Sequence, residues 1–147
     1  MESRFMLRAI ELSQIAANNG EVPVGAVIVK NGVIVGEGYN MREKKKSALS
    51  HAEIEAINAA CKTLDDWRLD DCTIYVTLEP CPMCAGAIIN ARIKEVVFGA
   101  YDNTMGCLDS VTNLMALPFA NDTVVYGGIC EDECKQILTD FFKKVRK

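Results

Sequence analysis

One histidine and two cysteines have the side chains and the spacing of a metal site. His51 is the single histidine of the 147-residue chain, and Cys81 and Cys84 are separated by two residues in the stretch EPCPMC. This pair follows a β-branched run and contains Pro82, which places it at the start of a helix, where free N–H groups and the helix dipole favour thiolates. Imidazole and thiolate bind zinc, and three protein ligands leave a fourth position for water, as in catalytic zinc sites.

The C-x-x-C pair alone is also compatible with other roles. A pair at a helix start with an internal proline is typical of thiol–disulfide redox proteins, and two small buried hydrophobic residues would fit equally well. A structural zinc module would need a fourth protein ligand; Cys61, Cys72 and Cys107 are conceivable donors without tight spacing. Cys130 and Cys134 lie four apart on a predicted helix, and we interpret them as packing residues.

Glu53 has two competing interpretations, which differ in where its carboxylate points. Ser50 and Glu53 have the spacing of a capping box, in which each side chain accepts from the N–H of the other residue. Alternatively, the carboxylate lies beside water on a metal held by His51 and moves its proton. Positions i and i+2 of an ideal helix point about 200° apart, but at a first turn the two side chains could converge.

Composition predicts an ordinary globular protein. Hydrophobic residues make up 50% of the chain and charged residues 24%, with no apolar run as long as a membrane span. We therefore predict one domain over residues 1–147 that does not enter a membrane. The amphipathic N-terminus carries Glu2 and Glu11, which is typical of a helix and not of a signal peptide, and predicts a cytoplasmic protein. Seven cysteines in such a protein favour metal or redox chemistry over disulfides.

The net charge of −4 argues mildly against a general nucleic-acid binder, but the positive charge is unevenly placed. One basic run lies within residues 42–46 and another within residues 143–147. A basic patch can bind phosphates on an acidic protein. A solvated loop and a frayed tail are the simpler interpretation of these two runs.

Hydrophobic periodicity predicts an α/β fold. Helices are predicted over residues 4–18, 50–62, 82–91 and 131–145. Strands are predicted over 73–80, 95–100 and 123–128, with a hairpin around Asn31–Gly32 before them and a long loop over 101–121. Helices that alternate with strands indicate a mixed sheet of about five strands with helices on both faces.

The motifs resemble a known family. H-x-E followed by P-C-x-x-C, at residues 51–53 and 80–84, is the signature of zinc-dependent nucleobase deaminases. Further stretches are similar to the bacterial tRNA-specific adenosine deaminases: EVPVGAVIV (21–29), GEGYN (36–40), SHAEIEAI (50–57), DWRLDDCTIYVTLEPCPMCAGAI (66–88), VVFGAYD (96–102) and LTDFF (138–142).

This resemblance implies a cytidine-deaminase-like three-layer α/β/α fold, a homodimer and hydrolysis of adenosine to inosine at the wobble position of tRNA, with release of ammonia. His51, Cys81 and Cys84 would hold one zinc ion per subunit. Glu53 would carry protons from water to N1 of adenine and to the departing amino group. The adenosine would be flipped out of the anticodon stem-loop, because a stacked base cannot be reached.

The resemblance also implies the substrate-binding residues. In the base pocket these are Val22, Asn40 and Ala52. Near the pocket mouth they are Leu78, Glu79 and Asp102. On the C-terminal helix, toward the anticodon loop, they are Phe141, Phe142, Lys143 and Arg146.

Three departures from the family pattern concern the pocket rim and not the metal. They are the stretch SALS (47–50), Thr104 and Asp109. Deamination of a free base or nucleoside of the cytidine or guanine type is therefore the alternative within the same class of enzyme. A C-x-x-C redox protein and a structural zinc module are the alternatives from other classes.

Overall fold

The computed structural model describes residues 2–145 of the chain. Its strands are β1 (Gly25–Lys30), β2 (Val33–Tyr39), β3 (Cys72–Leu78), β4 (Glu95–Ala100) and β5 (Val124–Tyr126). Its α-helices are α1 (Ser3–Asn18), α2 (Arg42–Lys45), α3 (Ala52–Leu64), α4 (Pro82–Asn90) and α5 (Glu131–Val145). A short 3₁₀ turn, Leu114–Ala116, lies within the predicted long loop.

The strands form one mixed sheet in the order β2-β1-β3-β4-β5. The predicted hairpin pairs β1 with β2, and β1 is also antiparallel to β3, whereas β3, β4 and β5 are mutually parallel. Asn31 and Gly32 turn the hairpin with φ values of 52° and 75°, the left-handed conformation that two-residue hairpin turns need.

Helices cover both faces of the sheet, as the alternation of side chains along its strands requires. On β1, Ala26 and Ile28 face a core shared with α3 and α4, while Val27 and Val29 face a second core shared with α1. α5 closes this second core through Cys134. The predicted three-layer fold with five strands is confirmed over residues 2–145.

Two glycines of β2 allow α3 to lie directly on the sheet. A Cβ at Gly38 would come within 2.4 Å of the Ala52 carbonyl, and one at Gly36 within 2.5 Å of the Ala56 carbonyl. Since real Cβ atoms do not approach backbone so closely, both positions need glycine. This close contact fixes the height of the first turn of α3, and therefore of His51, above the sheet.

Some element boundaries differ from the sequence prediction. α3 begins at Ala52 and not at Ser50, and β5 spans three residues where six were expected. Residues 42–45, for which a solvated loop was the simpler interpretation, form α2. Within residues 2–145, no helix is long and apolar enough to cross a membrane.

Candidate active site

The two helix starts meet beyond the carboxyl end of β3. His51 is the N-cap of α3 and Cys81 is the N-cap of α4, with Pro82 at the first helical position. Cys84 lies in the first turn of α4 and is buried. Residues 30 positions apart in the chain therefore converge because both helices begin at the same edge of the sheet.

The three predicted ligands lie at the distances of a tetrahedral metal site. His51 Nδ1 is 3.6 Å from the sulfur atoms of both Cys81 and Cys84, and the ligand atoms of all three residues lie within 4.8 Å of one another. A zinc ion about 2.05 Å from nitrogen and 2.3 Å from sulfur, with tetrahedral angles, would separate nitrogen and sulfur by about 3.6 Å. Both nitrogen–sulfur separations therefore match tetrahedral coordination of zinc.

The two cysteines differ in acidity because their sulfur atoms are in contact. The Cys84 thiol lowers the pKa of Cys81 to about 4, with a further contribution from His51. The same contact and burial raise the pKa of Cys84 above its ordinary value. The prediction that both thiols are acidified therefore holds for Cys81 and not for Cys84. Coordination to a divalent cation would deprotonate both thiols, because thiolates are the ligand form.

Glu53 lies at the ligand group, and the capping box, the other of its two interpretations, does not form. In the described chain, no side chain caps the start of α3. Glu53 is 4% exposed and lines the same pocket as His51 and Cys81. Burial, with a smaller contribution from the neighbouring Cys81, raises the pKa of Glu53 to about 7. A carboxyl group with a pKa near neutrality can both accept and release a proton at physiological pH.

A pocket of about 250 Å³ opens beside this group. Ligand pockets usually have about 300–1,000 Å³, so the space suits a single base better than a larger molecule. All six residues expected in the pocket or at its mouth line it: Val22, Asn40, Ala52, Leu78, Glu79 and Asp102. The Asn40 amide donates to the Val22 carbonyl at 3.2 Å and accepts from the Arg42 N–H at 3.1 Å, which fixes its orientation.

Glu79 holds the pocket rim rather than presenting a free carboxylate. It is 2% exposed. One oxygen accepts from the N–H of Asp102 at 3.0 Å and from the Ser110 hydroxyl at 2.5 Å, and the other accepts from the three consecutive N–H groups of residues 108–110 at 2.8–3.1 Å. Burial acts to raise the pKa of Glu79, but these donors, Ser110 first, bring it below its ordinary value.

Sequence reasoning missed several residues of this site. Arg42, Val24 and Met105 also line the pocket. Glu21 is buried and accepts from the N–H groups of Glu43 and Lys44, so that it anchors α2. For Arg42, the available sequence signal was its position two residues after the predicted pocket residue Asn40. The anchoring role of Glu21 depends on a contact across 22 residues and leaves no local pattern.

Of the predicted C-terminal residues, Phe141, Phe142 and Lys143 lie away from the pocket. Phe142 and Lys143 line a separate groove on α5 with Leu138, and Phe141 packs edge-on against Phe142. Arg146 lies outside the described residues. The structure therefore does not bring Phe141, Phe142 or Lys143 to the metal ligands.

The remaining cysteines stay outside the ligand group. Among residues 2–145, Cys61, Cys72 and Cys107 do not join a metal-binding cluster with His51. Cys134 is buried in the core below α5, in line with a packing role. Cys130 precedes α5 with a positive φ of 55°.

The departures from the family pattern also have positions in the fold. The side chains of Thr104 and Asp109 are exposed on the rim loop, and the N–H of Asp109 donates to Glu79. Ser50 is buried, and its carbonyl accepts from the N–H of Met41. These positions affect the rim and the loop before α3, and none of them is a ligand.

A cytidine-deaminase-like sheet with a His-Cys-Cys group and a buried glutamate at its edge defines the class of nucleobase deaminases. The chain matches the MafB19-like deaminase family over residues 2–146. The tRNA-specific adenosine deaminase of Bacillus subtilis is 45% identical over 144 residues, which cover 97% of this chain and 89% of that protein. The chain therefore belongs to the tRNA-specific adenosine deaminase family.

Solved structures of deaminases are also similar to this chain. A structure from a study of A-to-I editing by tRNA:A34 deaminases at the wobble position of transfer RNA has a TM-score of 0.90 and 37% identity, and covers 93% of this chain and 100% of that one. The guanine deaminase of Bacillus subtilis has a TM-score of 0.66 and 45% identity, and covers 69% of this chain and 65% of that one.

Proposed function

We propose that this protein hydrolyses adenosine to inosine at the wobble position, the first anticodon nucleotide, of tRNA and releases ammonia. The observation that carries the proposal is the buried Glu53 carboxylate beside the His51–Cys81–Cys84 group, in a pocket sized for one base. Membership of the tRNA-specific adenosine deaminase family supports the choice of base and of RNA.

His51, Cys81 and Cys84 would hold one zinc ion per chain, since their types and the 3.6 Å separations suit tetrahedral coordination. A bound zinc ion would lower the pKa of water and so supply a nucleophile at neutral pH.

Glu53 is the proton carrier of the proposed reaction. Its carboxylate accepts a proton from the attacking water and delivers it to N1 of adenine, which makes C6 more electrophilic. The water oxygen adds to C6, and the hydroxyl group formed there gives its proton through the same carboxyl group to the amino group. The C6–N bond then breaks, C6 keeps the oxygen as a carbonyl, and ammonia is released. The pKa of about 7 that burial produces at Glu53 suits both directions of transfer.

The remaining pocket residues would hold the flipped adenosine. Val22 and Ala52 supply apolar walls, and the fixed amide of Asn40 supplies a polar group of set orientation. Leu78 and Asp102 lie on the pocket wall nearer the rim loop that Glu79 holds. A pocket of this size excludes a stacked base pair, so the adenosine must leave its stack before it enters.

The C-terminal helix would extend the contact to the anticodon stem-loop. Phe142 is exposed and Lys143 lines the same groove on α5, which combines an aromatic surface with positive charge, as in single-strand RNA binding. Arg146, outside the described residues, belongs to this proposed surface by its place in the sequence.

A homodimer is the proposed assembly. Several large apolar side chains are exposed, and an interface between two copies could bury them: Leu49, Met105, Val111, Leu117 and Phe119. Light scattering in solution should give twice the chain mass of 16.1 kDa; a single chain mass at micromolar concentration would contradict this. Because tRNA is its proposed substrate, we place the protein in the cytoplasm.

The proposed reaction is tested with an anticodon stem-loop that carries adenosine at the wobble position. Inosine at that position, detected by mass spectrometry of nuclease digests, is the expected product. Free adenosine, cytidine and guanine serve as parallel substrates, because a guanine deaminase is also similar to this chain. Turnover of guanine without inosine in the stem-loop would replace the proposed function with free-base deamination.

A further inference from the structure

Arg42 lies on the wall of the pocket with a guanidinium that is open to a ligand. It is the first residue of α2, and its side chain is 50% exposed. Among the described residues its ion-pair partner is Glu43, at 3.5 Å and with a side chain that is 73% exposed. Exposed pairs of this kind contribute little, so a ligand with stronger acceptors can replace Glu43.

Buried polar groups hold the backbone of Arg42 in place. Its N–H donates to Asn40 Oδ1 at 3.1 Å. Immediately after it, the Glu21 carboxylate, which is 2% exposed, accepts from the N–H of Glu43 at 3.0 Å and of Lys44 at 2.9 Å. The backbone of Arg42 is therefore held in place, while its guanidinium pairs with the exposed Glu43 and stays open to a stronger ligand.

The segment around Arg42 concentrates positive charge beside an otherwise acidic protein. Four of the five residues 42–46 are lysine or arginine, whereas the chain as a whole has a net charge of −4. Lys45 is held by Glu55 at 2.6 Å, on the side of α3. Of the cationic residues in this segment, Arg42 is the one that reaches the described pocket lining.

We propose that Arg42 binds a phosphate of the RNA strand next to the flipped adenosine and thereby selects a nucleotide within a strand over a free base or nucleoside. This inference rests on the proposed RNA substrate. A guanidinium offers paired N–H donors that match two phosphate oxygens, which a lysine ammonium does not. A free base has no phosphate, so Arg42 adds nothing to its binding.

The test compares wild type, Arg42→Gln, Arg42→Lys and a control variant, Arg4→Gln. Arg4 is similarly exposed, pairs with the exposed Glu2 and lies on α1. Each protein is titrated with a fluorescent anticodon stem-loop, either unmodified or with neutral methylphosphonates on both sides of the wobble adenosine. Zinc content and circular dichroism establish that each variant is folded.

For the unmodified stem-loop we expect Arg42→Gln to weaken binding about tenfold and to reduce the salt slope by about one phosphate contact. Arg42→Lys should fall between Arg42→Gln and wild type, and Arg4→Gln should match wild type. On the methylphosphonate stem-loop, Arg42→Gln and wild type should bind equally. Equal losses on both stem-loops, or no loss on either, would overturn the role of Arg42.

Binding and deamination are measured separately, so that two failures can be told apart. If wild type binds the stem-loop but forms no inosine, the proposed function fails while the phosphate contact is still tested by the titrations. If wild type forms inosine and Arg42→Gln is indistinguishable from it, only the phosphate contact fails. If wild type does not bind the stem-loop, both proposals fail.

Discussion

Glu53 concentrates the chemistry of the site in one side chain, because its surroundings remove it from water. It is the second residue of α3, where a helix start normally favours an ionised carboxylate. Burial outweighs that preference and raises its pKa to about 7. The side chain is therefore suited to proton transfer, and its contribution to capping the helix is lost.

Replacing Glu53 with glutamine should abolish deamination and leave the fold and the metal in place. Glutamine keeps the size and polarity of the side chain but cannot carry a proton, so kcat should fall by about 10²–10⁴ or more. The measurement is single-turnover inosine formation together with zinc analysis. Glu55→Gln, two residues further along α3, should keep activity within about twofold. Substantial turnover by Glu53→Gln would mean that another group moves the proton.

The three-ligand geometry predicts about one zinc ion per chain. Removing it with a chelator should abolish activity and lower the melting temperature, because a metal that binds the folded state stabilises it. Zinc should restore both. Cys84→Ser should hold zinc more weakly, whereas Cys134→Ser, in the core below α5, should keep zinc content unchanged. Protein that is fully active without bound metal would exclude the proposed chemistry.

At the scale of elements, the site depends on the placement of α3 and α4 against the sheet and on the rim loop that Glu79 binds. Gly36 and Gly38 let α3 approach β2, and Pro82 starts α4 directly after the strand–helix junction. Glu79, at the same junction, gathers the loop over residues 102–110 onto its carboxylate. Two of the three metal ligands, Cys81 and Cys84, and the anchor of the rim thus lie in the same short segment, residues 79–84.

Glu79→Gln should loosen the rim without removing the metal. A glutamine would bring an NH₂ group against backbone N–H donors, and each buried donor left without a partner costs about 1–3 kcal/mol. We expect KM for the stem-loop to rise about tenfold, because the loosened rim weakens substrate binding more than it slows the chemical step. Ser110→Ala, which removes one of the donors, should have a smaller effect. An unchanged KM would show that the rim loop holds its shape without Glu79.

The difference in folding stability between wild type and Glu79→Gln should depend on pH. Because hydrogen bonds lower the pKa of Glu79 in the folded protein below its ordinary 4.5, ionised Glu79 stabilises the fold above that pH. The stability difference between wild type and Glu79→Gln should therefore be largest near neutral pH and shrink as the pH falls below about 4.5. Urea unfolding monitored across this range measures it. A difference that does not change with pH would contradict the ionised state.

At the scale of the whole molecule, the basic C-terminal helix lies apart from the pocket. The pocket and the groove on α5 are different surfaces, so RNA would have to span both. Deleting residues 143–147 should weaken stem-loop binding and reduce its salt dependence. Binding with fewer phosphate contacts releases fewer counterions from the RNA. Neutralising Lys30 and Lys94, at the other end of the sheet, should change neither. An unchanged salt slope after the deletion would mean that the tail makes no phosphate contact.

The sequence predicts the fold and the ligand group better than it predicts their supports. Periodicity and the Asn31–Gly32 turn are local signals, and the fold that they predict is confirmed over residues 2–145. The Ser50–Glu53 spacing is an equally local signal, but it is ambiguous, because a capping box and a buried proton carrier have the same sequence pattern. Burial, which separates the two, arises only when α3 packs on β2.

Contacts between residues that are far apart in the sequence had no local sequence signal. The carboxylate of Glu21 is 22 residues from the N–H groups it anchors, and the contact of Glu79 with Ser110 spans 31 residues. The role of Glu79 as an anchor for the rim therefore had to come from the structure. The homodimer, the extent of the domain and the contacts of Phe142, Lys143 and Arg146 with RNA stay predictions.

The anchored rim has a consequence for which partner must change shape on binding. A rim loop that leaves its place would have to break its hydrogen bonds to both Glu79 oxygens. The entrance is therefore preformed, and the conformational work of binding falls on the nucleic acid. Anticodon loops whose wobble base already spends time unstacked should then bind fastest, so that the flexibility of the loop, as well as its sequence, decides how well an RNA is used.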